Sequence, residues 1–214
     1  TGEKLADDYY QKFKIILETE RSMAQGVAFS LIKPKTLTVW EILIPVIFIL
    51  NYVKLKHSRE IFVQNQMFTK KMALDAALDM KKKDAAKETV MTQIQSKTKE
   101  LVSSVPGGIY SDDIRRQQLI EIDLLIDHYT RLLNAAGKDY ASLVTHVYQT
   151  AAAYSSFLEA LTAAEKEVMS AAHRTLGSQT DMATAEKIES ITENMRAAEV
   201  NKIFSANSQP QDAE

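Results

Sequence analysis

Hydrophobic residues in this chain recur mostly at helical spacing, but in one stretch they crowd together. Residues 36–53, between Lys35 and Lys54, read TLTVWEILIPVIFILNYV, with Glu41 the one charged residue among them. At about 1.5 Å per helical residue this run reaches roughly 27 Å, close to the ~30 Å hydrocarbon core of a bilayer. It predicts a transmembrane helix over 33–56, preceded by a leader (1–32) and followed by a helical body (57–205) and a solvated tail (206–214).

In the leader, Leu5, Tyr9, Phe13 and Ile16 fall on one helical face, with Lys4, Lys12, Lys14 and Glu18 elsewhere around the turn. This predicts an amphipathic helix ended by Gly26, which either lies on a membrane surface or packs against protein. After the span no helix breaker appears before Val105-Pro106-Gly107-Gly108, so the membrane helix is expected to continue as one rod to about Ser104.

The next seam repeats at Leu119, Ile122, Ile126, Tyr129 and Leu133, behind a cap at Ser111 or Asp112. A third body helix carries Tyr140, Val144, Val147, Tyr154, Leu158 and Leu161 and closes at Gly177. A fourth, from about Asp181, carries Ile188, Ile191 and Met195. Short connections imply antiparallel neighbours, so the expected fold is all-α: an N-terminal amphipathic helix, one transmembrane helix, and an extended antiparallel four-helix bundle or coiled coil.

Composition narrows the function classes. Six glycines and four prolines among 214 residues fit an all-helical chain, and no hairpin signal interrupts it. The net charge of −2 offers no concentrated basic face for nucleic acid, which is not expected as a partner. Without cysteine the chain has no disulfide, thiolate metal site or iron–sulfur cluster. Arg21, Lys33 and Lys35 precede the span, and Lys54, Lys56, Arg59, Lys70 and Lys71 follow it. That bias predicts a single-pass protein with its body in the cytoplasm.

Few residues suggest chemistry. Glu41 in the span either reaches the interface near Lys35 or meets a polar group of a partner subunit, with Pro45 kinking the helix one turn later. Trp40 and Tyr52 suit the aromatic belts at the two interfaces. His57, His128, His146 and His173 have no metal-binding spacing, and Asp127-His128 reads as a satisfied pair on a helix surface. No cofactor, metal or small-molecule substrate is expected. The stretch Ala172-His173-Arg174-Thr175-Leu176-Gly177-Ser178 loosely resembles the phosphoacceptor helix of histidine phosphotransfer bundles. Leu176 stands where that family has a basic residue, and His173 would be the acceptor.

The segments Lys33–Glu41 (KPKTLTVWE), Ser58–Phe62 (SREIF), Gly107–Ser111 (GGIYS) and Glu121–Tyr129 (EIDLLIDHY) resemble an uncharacterised single-span, helix-rich family of bacterial membrane proteins. The resemblance implies the same topology in a bacterial inner membrane and supplies no activity or site. The expected function is a non-enzymatic, membrane-anchored scaffold or accessory subunit whose partners are membrane lipid and other protein subunits or copies of itself. Histidine phosphotransfer and a self-assembling membrane coat are the alternatives.

Overall fold

The computed structural model describes residues 2–31, 58–104, 110–177 and 182–205. Every regular element among them is an α-helix: α1 (Gly2–Leu31), α2 (Ser58–Lys83), α3 (Lys87–Ser104), α4 (Asp112–Asn134), α5 (Tyr140–Tyr148), α6 (Ala151–Leu176) and α7 (Met182–Ser205). Local sequence sets several of the helix ends. Ser111 accepts a hydrogen bond from the Ile114 amide, Thr150 accepts one from Ala153, and Asp139 and Ser142 form a reciprocal capping box ahead of α5. Gly177, at φ 57°, ends α6 where a side chain would strain the backbone.

Side-chain pairs fix the helix directions. Glu20 meets Lys70, Phe29 meets Arg59 and Tyr10 meets Lys82, so α1 and α2 run antiparallel along their length. Lys12 and Glu20 reach Leu133 and Tyr129, which makes α4 antiparallel to α1. Asp113 and Arg174 pair across α4 and α6, and Glu165 and Arg196 pair across α6 and α7, each again antiparallel. Lys87 binds Asp123 and Asp127 while Arg115 binds Thr98, so α3 runs back along α4. Leu31, Ser58, Ser104, Asp112, Leu176 and Met182 therefore all lie toward one end of the bundle.

The main core joins Ile16 of α1, Leu74 and Ala77 of α2, Ile122 to Leu133 of α4, Leu143 and Val144 of α5, Tyr154 to Leu161 of α6 and Val200 of α7. Fully burying one such large aliphatic side chain contributes about 1.5–3 kcal/mol. α1 is thus an integral part of the bundle: Ile16 is fully buried, and Tyr9, Phe13, Ile15 and Leu17 pack half-buried against the same core. Of the two arrangements open to an amphipathic leader, the one observed is packing against protein.

The transmembrane helix expected over 33–56 is not supported. Trp40, Glu41, Pro45 and Tyr52 lie outside the described residues, and among the described residues no helix is long and apolar enough to cross a membrane. The flanks of the run supply a physical objection as well. Leu31, just before it, packs on the cluster of Val27, Ala28, Phe62 and Ile188, and Arg59, just after it, lies 4.3 Å from the centre of the Phe29 ring. A helix crossing a bilayer once would separate those flanks by ~30 Å.

Three further expectations are corrected. The continuous rod to Ser104 is broken: α2 stops at Lys83, Asp84 takes a left-handed φ of 50°, and α3 starts afresh at Lys87. Lys81, Lys82 and Lys83 in the last turn favour that stop, because cations stabilise the carbonyl end of a helix. The third body helix is two helices, separated where Gln149 turns to φ 62° and Thr150 caps α6. The body is therefore not a simple four-helix bundle. Gly26 does not end α1 either. It lies inside the helix, where its missing side chain makes room for Met195 of α7.

Candidate functional site

Where α1, α2, α4, α5, α6 and α7 converge, the core turns polar. Glu20 of α1 receives Lys70 Nζ at 2.6 Å and the Tyr129 hydroxyl at 2.9 Å. Burial opposes charge on Glu20, but the charge and hydrogen bond of Lys70, helped by Tyr129, hold its carboxyl below the usual value. On α7, Arg196 donates to both oxygens of Glu165, at 2.7 and 2.8 Å, and to the Thr162 hydroxyl at 2.6 Å. This is the two-pronged geometry that suits a planar guanidinium.

Two other carboxylates share this interior. Glu121 accepts a hydrogen bond from Thr69 at 2.6 Å; burial, and after it the Glu165 charge, push its pKa up to about 7. Glu199 receives the Tyr154 hydroxyl at 3.5 Å, and burial followed by the Glu20 charge raises it to about 7 as well. Four carboxylates, Glu20, Glu121, Glu165 and Glu199, thus face two cations that are already engaged, Lys70 and Arg196. Protonation of the two carboxyls that lack a direct cation is the way such a site limits buried charge.

His128 sits beside this network among aromatic rings. Its Nδ1 lies 2.7 Å from the Tyr148 hydroxyl, and its ring stacks 4.1 Å from Phe157, with Tyr129 and Tyr154 around it. Burial lowers its pKa to about 3, so the ring is neutral at ordinary pH. The Tyr140 and Tyr154 hydroxyls are 3.2 Å apart. Glu20, Lys70, His128, Tyr154, Arg196 and Glu199 all line a cavity of ≈ 20 Å³, which is room for about one water.

The seam residues meet around this site. Ile122, Ile126, Tyr129, Leu133, Val144, Tyr154, Leu158 and Leu161 are buried, while Leu119, Tyr140 and Val147 are half-buried at its margin. His173 is far from the cluster, exposed in the last turn of α6. His146 is exposed too. Asp127 and His128 do not form a surface pair: Asp127 binds Lys87 at the surface, and His128 points into the core. Sequence reading passed over Glu20, Lys70, Glu121, Arg196 and Glu199. Each is an ordinary charged residue at helical spacing, and the available clue was that Glu20, Lys70 and Glu121 each lie within one turn of an apolar core position.

Among the described residues no group of three or more His, Cys, Asp or Glu is arranged to hold a metal ion. The site can store protons and tie helices together; a nucleophile aligned with a base is not among its features. No family profile, curated protein or solved structure matches this chain.

Proposed function

We propose that this protein is a helical scaffold or accessory subunit attached at one end of its bundle to a lipid surface, with the whole bundle on one side of that surface. The observation that carries the reading is the convergence of the two flanks of the apolar run. Leu31 and Phe62 belong to one apolar cluster, so the described segments that flank the apolar run meet at the same end of the bundle. A predominantly apolar sequence in that position favours attachment to an apolar medium without a crossing, and apolar area removed from water stabilises such attachment at about 25 cal/mol per Å².

The rest of the bundle supports a rigid body more than a reactive one. Its polar interior is spent on interhelical ties, Glu20–Lys70 and Glu165–Arg196, which lock α1 to α2 and α6 to α7. Exposed faces of such a bundle serve other subunits or further copies.

Flotation of the full chain with phospholipid vesicles tests this reading. The unaltered chain is expected to float with the lipid, and a Leu43→Asp, Phe48→Asp variant to stay at the bottom of the gradient with an unchanged helical circular-dichroism spectrum. An unaltered chain that remains at the bottom would contradict the reading.

A further inference from the structure

The C-terminal half of α7 closes the small cavity in the polar core, and it does so with a carboxylate. Glu199 shares the cavity with Glu20 of α1, Lys70 of α2, His128 of α4, Tyr140 of α5, Tyr154 of α6 and Arg196 one turn earlier on its own helix, while Tyr129 of α4 and Glu165 of α6 bind Glu20 and Arg196 beside it. Lys70 is held by Glu20 and Arg196 by Glu165, so both nearby cations are committed to other acids. The contact of Glu199 with Tyr154, at 3.5 Å, is long for a hydrogen bond to a carboxylate.

We propose that α7 is a proton-linked latch: with a proton on Glu199 the helix lies closed over the cavity, and loss of that proton loosens its C-terminal half from α1, α5 and α6. Geometry makes this half the place to give way. Beyond Arg196 it adds only Val200 and Ile203 to the main core, with Phe204 half-buried against that core, whereas α4 in the centre contributes Ile122, Leu125, Ile126, Tyr129, Leu132 and Leu133. An ionised Glu199 would stand near ionised Glu20 without a cation of its own, and like charges in a poorly solvated site repel strongly. Its raised pKa of about 7 puts the transition near neutrality. Opening would uncover the groove formed by Tyr140, Tyr154, Phe157, Leu158 and Leu161, all of which line the cavity.

Hydrogen exchange of α7 amides in the full chain, corrected for the intrinsic pH dependence of exchange, tests the latch. Between pH 5.5 and 8.5 the opening of residues 196–204 should increase at least tenfold relative to α4, and Glu199→Gln should remove the increase. An equal increase in Glu199→Gln, or none in the unaltered chain, would overturn it. A carboxyl carbon titration of Glu199 by NMR gives an independent check: a midpoint near 7 supports the latch and one near 4.5 overturns it.

Discussion

Glu20 and Lys70 face each other at 2.6 Å across the interface of α1 and α2, fifty positions apart in sequence and on opposite flanks of the apolar run. Both side chains are largely withdrawn from solvent, at 12% and 7% exposure. The pair joins the leader to the body and sets one wall of the polar core.

Lys70→Met is expected to cost about 3–5 kcal/mol in urea unfolding, because it leaves a buried carboxylate without its cation. Glu20→Leu with Lys70→Met should cost markedly less than the sum of the two single changes, since removing both partners leaves no orphaned charge. Equal and additive single effects would show that the pair is not coupled.

Arg196→Lys should destabilise the fold by about 1–3 kcal/mol although the charge is kept, because a lysine cannot engage both oxygens of Glu165 and the Thr162 hydroxyl together. Thermal unfolding monitored by circular dichroism reads this. A Lys variant as stable as the parent would mean that charge alone suffices at this position.

Stability should depend on pH in a way that Glu121 helps to set. Its folded pKa of about 7 lies above its ordinary 4.5, so between these values the folded state holds a proton that the unfolded chain has lost. This contribution is fully present below pH 4.5 and is lost as pH rises through 7. Glu199 acts in the same direction. His128 acts oppositely: its folded pKa of about 3 lies below 6.5, so its contribution is present above pH 6.5 and lost as pH falls toward 3. Glu121→Gln should therefore gain about 2–3 kcal/mol on the parent between pH 4 and pH 8. Denaturant titrations at both pH values measure the change, and a constant difference would place the proton elsewhere.

Gln149 turns the chain from α5 into α6 at φ 62°, a conformation that disfavours a side chain. Gln149→Gly should stabilise the protein by up to about 1 kcal/mol, since relief of that strain exceeds the added flexibility of the unfolded chain. A lower melting temperature in the variant would show that the Gln149 side chain does more than occupy the turn.

Much of the bundle is written in its apolar spacing. Ile122, Ile126, Tyr129 and Leu133 stand on one face by sequence and in one core by structure. The break after Lys83 was not legible, because no glycine or proline marks it and Asp84 takes the left-handed turn without one. The break at Gln149 was hidden in the same way, by a seam that continues in register from Val144 to Tyr154. Gly26 misled in the opposite sense: its lack of a side chain admits Met195 instead of stopping the helix. The polar core was illegible because its parts, Glu20, Lys70, Glu121, Glu165, Arg196 and Glu199, come from five helices and follow no spacing rule. The run at 36–53 suggested a span by length and apolarity, which are local properties. That its flanks pack on each other is a long-range fact no local pattern contains.

The placement of α1 in the same bundle as α7, on one side of any surface that the apolar run engages, is tested most directly by labelling. The chain has no cysteine, so single cysteines at the exposed positions Asp7 and Lys187 can be introduced separately and treated with a membrane-impermeant maleimide on protein floated with sealed vesicles. Both cysteines should react completely from outside. Protection of one while the other reacts would contradict the account.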